Sequence, residues 1–291
     1  MNYRIVANCQ NQTGESPVWS VAEQALYWVD IPQGQIFRWH AEQGVSHWQT
    51  EQVAACIMPH ASGDWMVCQQ DQINRISLMT EAKVQIQQQL QVSHPHPDLR
   101  FNDGTCDRQG RIWVGSMHLD NNGSPVGSLY CYSTEGLSLK LSGLCTPNGL
   151  VFSPDGRTLY LSDSHKSVQK IWAFDYDPDT ATISQQRLFV DMQHYDGRPD
   201  GATVDAEGCY WCCAIDSGKI LRFDPQGQLL ESFELPVSKP TKCIFGGANL
   251  DTLFVTSLRP DMANSEQDML SGAVFALDVG VQGLAETAVN F

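Results

Sequence analysis

A repeat constrains this chain more than anything else in it. Four stretches follow one plan: an oxygen-bearing lead residue, a short apolar run, a turn, then an aromatic-rich strand. They are Glu15-Ser-Pro-Val-Trp-Ser-Val-Ala-Glu-Gln-Ala-Leu-Tyr-Trp28, Asn102-Asp-Gly-Thr-Cys-Asp-Arg-Gln-Gly-Arg-Ile-Trp113, Asn148-Gly-Leu-Val-Phe-Ser-Pro-Asp-Gly-Arg-Thr-Leu-Tyr160 and Asp200-Gly-Ala-Thr-Val-Asp-Ala-Glu-Gly-Cys-Tyr-Trp211. Weaker copies lie near His60–Cys68, with Asp64 and Trp65, and near Thr241–Thr256, with Phe254. Five residues after each lead comes a short turn-forming side chain: Ser20, Asp107, Ser153 and Asp205.

The second-strand aromatics Trp28, Trp65, Trp113, Tyr160, Trp211 and Phe254 are spaced by 37, 48, 47, 51 and 43 residues. That is close to the roughly 40–50 residues of a four-stranded propeller blade. Most units end in a further strand signal, as in Gln35-Ile-Phe-Arg-Trp39, Lys170-Ile-Trp-Ala-Phe174 and Lys219-Ile-Leu-Arg-Phe223. Short alternating runs bounded by Gly, Pro and Asp read as strands. Only Glu81–Gln91 is ambiguous between helix and strand. Six units fill the 291 residues, so the pattern predicts an all-β fold, one six-bladed β-propeller domain over residues 1–291.

Charge narrows the possible partners. With 33 Asp+Glu against 18 Lys+Arg, the net charge of −15 excludes nucleic acid and an anionic membrane surface as expected partners. No segment reaches the ~18 consecutive apolar residues of a membrane-spanning helix. The first ten residues hold no uninterrupted apolar run, so no secretory signal is expected. The ten cysteines are scattered through hydrophobic runs, which fits buried reduced thiols in a cytoplasmic protein. Cys209-Tyr-Trp-Cys212 has the spacing of a metal motif but no second ligand pair nearby, and no zinc site is expected there.

A propeller sets equivalent positions of its blades in a ring around one axis. The leads Glu15, Asn102, Asn148 and Asp200 therefore converge, and all present oxygen acceptors; the weaker copies place Ala55 and Thr241 at the same position. Asn-Gly and Asp-Gly also suit hairpin turns. That explanation does not cover Glu15, which precedes Ser-Pro, nor the turn glycines Gly110, Gly156 and Gly208 already present in the same units. Two converging carboxylates repel unless a cation or proton compensates them. With an amide carbonyl they form a hard oxygen set suited to Ca²⁺, Mg²⁺ or Mn²⁺, with coordination positions left for water or substrate.

The chain resembles the senescence-marker-protein/gluconolactonase/regucalcin-like family of sugar lactonases over nearly its whole length. The motifs that carry the resemblance are Gly14-Glu-Ser-Pro-Val-Trp19, Arg100-Phe-Asn-Asp-Gly104, Pro147-Asn-Gly-Leu150 with Ser153-Pro-Asp-Gly156, Pro199-Asp-Gly201 and Phe245-Gly-Gly247. The resemblance implies a six-bladed propeller that holds one divalent cation (Ca²⁺, Zn²⁺, Mn²⁺ or Mg²⁺) and hydrolyses a small-molecule sugar lactone. It makes Glu15, Asn148 and Asp200 metal ligands, Asp200 also the general base, and Arg100 and Asn102 substrate contacts. Where the family often carries Glu, alignment places Asp120, one methylene shorter, as a further substrate contact, with His118 beside it.

A cation lowers the pKa of a carboxylate that binds it, which weakens Asp200 as a base; Asp103 is a second candidate, or else an Asx-type turn before Gly104. The loop Met117–Ser124, rich in Asn and Gly, is expected to cover the channel mouth. Two other functions fit the same fold: a Ca²⁺-binding propeller without turnover, and a paraoxonase-like esterase, which calls for an apolar mouth and a histidine pair that activates water.

Overall fold

The computed structural model describes residues 3–260 and 269–291. Strand β1 (Tyr3–Ala7) comes first among the described residues, and the strands of six blades follow in order. Blade 1 is β2 (Gly14–Ser20), β3 (Ala25–Asp30), β4 (Gln35–His40) and β5 (Gly44–Gln49). Blade 2 is β6 (Cys56–Pro59), β7 (Trp65–Cys68), β8 (Gln72–Leu78) and β9 (Val84–Gln91). Blade 3 is β10 (Leu99–Cys106), β11 (Ile112–His118), β12 (Gly127–Ser133) and β13 (Gly136–Leu144). Blade 4 is β14 (Pro147–Phe152), β15 (Thr158–Asp163), β16 (Lys170–Asp177) and β17 (Thr182–Asp191). Blade 5 is β18 (Arg198–Val204), β19 (Tyr210–Ile215), β20 (Lys219–Phe223) and β21 (Leu229–Glu234). Blade 6 is β22 (Pro240–Gly246), β23 (Thr252–Ser257) and β24 (Val274–Asp278).

Strand β1 completes blade 6 as its outermost strand, in the order β1-β24-β23-β22. The chain's first strand thus pairs with its last, which closes the ring by hydrogen bonds and leaves no blade short of an edge partner. The inner strands β2, β6, β10, β14, β18 and β22 contact one another in sequence, and β22 returns to β2. The six-bladed propeller expected from the repeat is the observed fold. The ambiguous stretch Glu81–Gln91 is a short 3₁₀ turn, Thr80–Ala82, followed by β9.

Apolar burial lies between blades. Each of six clusters joins two neighbouring sheets, such as Trp113, Leu129 and Cys131 of blade 3 with Leu150, Phe152 and Leu159 of blade 4. The repeated aromatics all fall on second strands, and none is more than 5% exposed. The turn residues explain how. Asp205 accepts the Glu207 and Cys209 backbone N–H groups at Oδ1 and the Trp211 indole N–H at Oδ2, 2.9 Å away. Asp107 does the same for Gln109, Arg111 and Trp113. In blades 3 and 5 one carboxylate therefore caps the hairpin and orients the core tryptophan.

All ten cysteines are unpaired, nine of them buried, as expected for reduced thiols. No helix among the described residues is long and apolar enough to cross a membrane. The segment after β24 crosses the end of the propeller where the inner strands finish. It bridges Gly283 to Asp205 and Val289 to His60, and the Val289 N–H donates to the Pro59 carbonyl at 2.8 Å.

Asp205 carries no exposed surface and is paired to Arg222 at 2.8 Å. Asp205→Ala should cost roughly 3–5 kcal/mol in urea unfolding, because the Trp211 indole N–H and two backbone N–H groups lose their acceptor and Arg222 loses the buried one of its carboxylates; a cost under about 1 kcal/mol would contradict this role.

Candidate metal centre

The ladder register between first and second strands slips at one equivalent place in five blades: Glu15/Val18, Phe101/Gly104, Asn148/Val151, Pro199/Ala202 and Pro240/Cys243. Bulges re-aim side chains. Here they sit at or beside each lead residue, inside a strand, so Asn148-Gly149 and Asp200-Gly201 are not hairpin turns. Gly149 has a positive φ of 55°, and a Cβ there would lie 2.3 Å from the Tyr210 hydroxyl. At Ser16 the same left-handed conformation (φ 49°) is borne by a non-glycine residue. Its hydroxyl offsets the strain by accepting the Ile57 N–H of blade 2 at 3.0 Å.

Glu15, Asn102, Asn148 and Asp200 are buried, each 5–7% exposed. The Asn148 amide donates to Asp200 Oδ1 and to Ser164 Oγ, which turns its carbonyl oxygen the other way. That Oδ1 is buried and has no hydrogen-bond partner. Glu15 Oε2 accepts the Ser16 N–H at 2.6 Å.

The two carboxylates are under electrostatic pressure. Burial, with the Asp103 charge adding to it, pushes the Glu15 carboxyl up to about 7, against the pull of Lys242, the Ser16 amide and Arg100. Burial, then the Glu15 charge, holds Asp200 well above the usual carboxylate range. An orphaned buried carbonyl oxygen beside two mutually repelling carboxylates is a donor set that a hard divalent cation fits. Glu15, Asn148 and Asp200 would hold it.

Arg100 and Asn102 stand beside this group. The Arg100 Nη1 donates to the Phe101 carbonyl and to Asn102 Oδ1, both at 2.8 Å, while the Asn102 amide donates to the Pro147 carbonyl of blade 4 at 3.0 Å. Burial lowers the Arg100 guanidinium to about 10, with Glu15 opposing, so it stays charged at neutral pH. Asp120 is placed differently. It is exposed, on the loop after β11, and its backbone N–H donates to His118 Nδ1 at 3.1 Å. The tip of that loop leans on blade 4, where Thr146 Oγ1 donates to Asn121 Oδ1 and Cys145 Sγ to the Gly123 carbonyl.

Three charged groups are additional to those singled out from the repeat. Lys242 follows the blade 6 lead Thr241, is buried, and pairs with Asp103. Burial works against its ammonium, but Asp103 and Glu15 outweigh that and raise its pKa. Asp103 also accepts the Gly104 N–H and, from blade 4, the Leu150 N–H. Asp103 lies inside β10 and bonds the next N–H rather than the one two residues on, so it is a clamp between blades and not an Asx-type turn, and Lys242 compensates its charge. A Cβ on Gly201 would lie 2.4 Å from Lys242 Cβ, which explains the glycine. Arg198 and Lys239, like Arg100, come two residues before a lead, and both pair with Asp216. Alignment on the leads exposes this column of cations in blades 3, 5 and 6.

A cation at this centre must displace protons from Glu15 and Asp200, so its affinity rises as pH rises through about 7. The metal-free fold shows the complementary trend. A raised folded-state pKa for Glu15 contributes stability below its ordinary 4.5, and that contribution is lost as pH climbs through about 7. The increase in Tm produced by saturating Ca²⁺ should therefore grow between about pH 5.5 and 8 by differential scanning fluorimetry. An increment that is flat or shrinks over that range would contradict the assignment.

Residues 13–259 match the family described as SMP-30/Gluconolactonase/LRE-like region. The chain is similar to a 6-deoxy-6-sulfogluconolactonase of Pseudomonas putida, 37% identical over 280 residues that cover 94% of this chain and 93% of that one. It is similar to the pentonolactonase XacC of Haloferax volcanii, 31% identical over 98% of this chain and 97% of that one. Among solved structures, a luciferin-regenerating enzyme superposes with a TM-score of 0.91 at 28% identity, covering 100% of this chain and 99% of that one. On the matched family region and these full-length relatives, the chain belongs to the SMP-30/gluconolactonase/LRE-like family.

Proposed function

We propose that the protein is a divalent-cation-dependent hydrolase that opens the ester ring of a small sugar lactone to the aldonic acid. The observation that carries this reading is the buried, partnerless Oδ1 of Asn148, whose amide nitrogen bonds Asp200, with the Glu15 charge acting on Asp200 and Arg100 acting on Glu15. Full-length relatives named as sugar lactonases support the substrate class.

Lactone hydrolysis adds water to the ring carbonyl carbon, then breaks the bond from that carbon to the ring oxygen. The ring oxygen leaves as a hydroxyl and takes up a proton. A bound cation would polarise the carbonyl and steady the negative charge that develops on its oxygen, an effect worth several kcal/mol.

The chain's own residues supply the rest. Asp200 takes the proton of the attacking water at a carboxylate oxygen. Its burial beside Glu15 raises its basicity, which offsets the lowering a cation imposes. Arg100 offers further donors of its fixed fork to substrate hydroxyls, and the Asn102 amide, fastened between Arg100 and Pro147, holds that fork in place. Asp120, on its exposed loop, meets the sugar only where the substrate reaches the rim.

Arg100, Arg198 and Lys239 make the mouth more cationic than the overall charge of −15 suggests, with Asp216 cancelling part of it. A lactone with an anionic substituent is therefore compatible with the site. The esterase alternative calls for a histidine pair; His96 and His118 do approach each other, but the His96 side chain is 42% exposed and neither histidine bears on the Glu15 or Asp200 carboxyl. We place the protein in the cytoplasm, with no nucleic-acid or membrane partner, as its acidic charge and unpaired thiols suggest.

Chelator-stripped protein assayed with glucono-, galactono- and arabinono-lactones in weak buffer should release acid above the spontaneous rate only after a divalent cation is restored. Asp200→Asn should lower kcat at least about a hundredfold with the fold intact, the scale of a lost general base. Cation-independent rates, or a wild-type rate in Asp200→Asn, would overturn the reading.

A further inference from the structure

A second group of metal-type ligands stands at the rim of the channel. The antiparallel pairing of β10 with β11 sets Leu99 opposite His118, and the Leu119 N–H extends that ladder to the Asp98 carbonyl at 2.9 Å. His118 is thereby held against the segment that carries His96 and Asp98. The two imidazole centroids are 5.7 Å apart, and His96 Nδ1 lies 3.9 Å from Asp98 Oδ2. One ligand atom from each of the three side chains lies within 4.8 Å of the other two.

Packing does not account for this cluster. The His96 and Asp98 side chains are 42% and 59% exposed, and among the described residues no Lys or Arg pairs with Asp98. The comparable group Asp205, Glu207 and Cys209 differs on that point, because Arg222 already compensates its carboxylates at 2.8 and 2.5 Å. Each rim histidine instead begins the same short turn, His-x-Asp. The Asp98 N–H donates to His96 Nδ1 at 3.2 Å and the Asp120 N–H to His118 Nδ1 at 3.1 Å. These long contacts orient both rings without tying them down.

Two imidazole nitrogens and a carboxylate oxygen suit a borderline divalent cation such as Zn²⁺, whereas Ca²⁺ and Mg²⁺ favour all-oxygen sets. A tetrahedral site with bonds near 2.0–2.1 Å needs donors about 3.3 Å apart, which exposed side chains reach by rotation. Ligation through Nδ1 exchanges the amide contact for the metal; ligation through Nε2 moves the ring proton to Nδ1 and gives up the same contact.

We propose that His96, Asp98 and His118 form a second metal site, for one zinc-type divalent cation, whose fourth position is left to water or to a substrate oxygen. The site is independent of the axial centre and of the lactonase reading. Filled, it ties the β9–β10 connection to the end of β11, two residues before Asp120, and so fixes one side of the channel mouth.

Zn²⁺ alone is the probe, added to full-length protein held in saturating Ca²⁺ and followed by isothermal titration calorimetry at pH 7.5. Wild-type protein should take up one more equivalent than His118→Gln, or bind it at least tenfold more tightly, and His96→Gln and Asp98→Asn should behave like His118→Gln. Those two lie on an exposed connection and keep the test open should the β11 variant fold poorly. His47→Gln, a change to an exposed histidine elsewhere, should leave Zn²⁺ uptake unchanged. Equal Zn²⁺ stoichiometry and affinity in wild type and all three rim variants would overturn the proposal. Because Ca²⁺ occupancy and turnover are not read, failure of the axial assignment leaves this result interpretable.

Discussion

Repulsion between two buried carboxylates organises this molecule. Glu15 comes from blade 1 and Asp200 from blade 5; burial raises the pKa of both, Asp103 adds to it at Glu15, and the Glu15 charge adds to it at Asp200. Such an arrangement costs stability unless a positive charge relieves it. Lys242 relieves the neighbouring Asp103 and helps Glu15 in part. The Asp200 carboxyl is bonded only by the neutral Asn148 amide among the described side chains, and the Asn148 oxygen is buried without a hydrogen-bond partner. The rigid propeller makes this tolerable, because six interlocked apolar seams hold the inner strands where they are.

The architecture was legible because it is repetitive. Aligning Asn102, Asn148 and Asp200 on their turn glycines located every second-strand aromatic and the shared lead position. Sequence pattern could not supply the reason for that position. Asn-Gly and Asp-Gly read as turns in isolation, and only the ladder shows them as bulges that turn a side chain inward from the middle of a strand. Glu15 was the informative exception, since Ser16 takes up without glycine the backbone conformation that Gly149 takes up with it.

What stayed hidden depends on contacts distant in sequence. Lys242 reaches Asp103 across 139 residues, and nothing local marks it. The closing strand β1 has three exposed residues in its five-residue burial pattern and pairs with β24 at the far end of the chain. His96 and His118 sit 22 positions apart and meet only through the β10–β11 register. Asp120 shows the converse limit: alignment gives it a family position, while the structure sets it on an exposed loop.

The central claim is that oxygens from blades 1, 4 and 5 hold a single ion on the propeller axis. Its most direct test is an anomalous-difference map from crystals soaked in Mn²⁺, which takes the same oxygen ligands and scatters anomalously. The account predicts a peak bounded by Glu15, Asn148 and Asp200. A map with no density at that point, or with the three side chains turned away from a common centre, would contradict it.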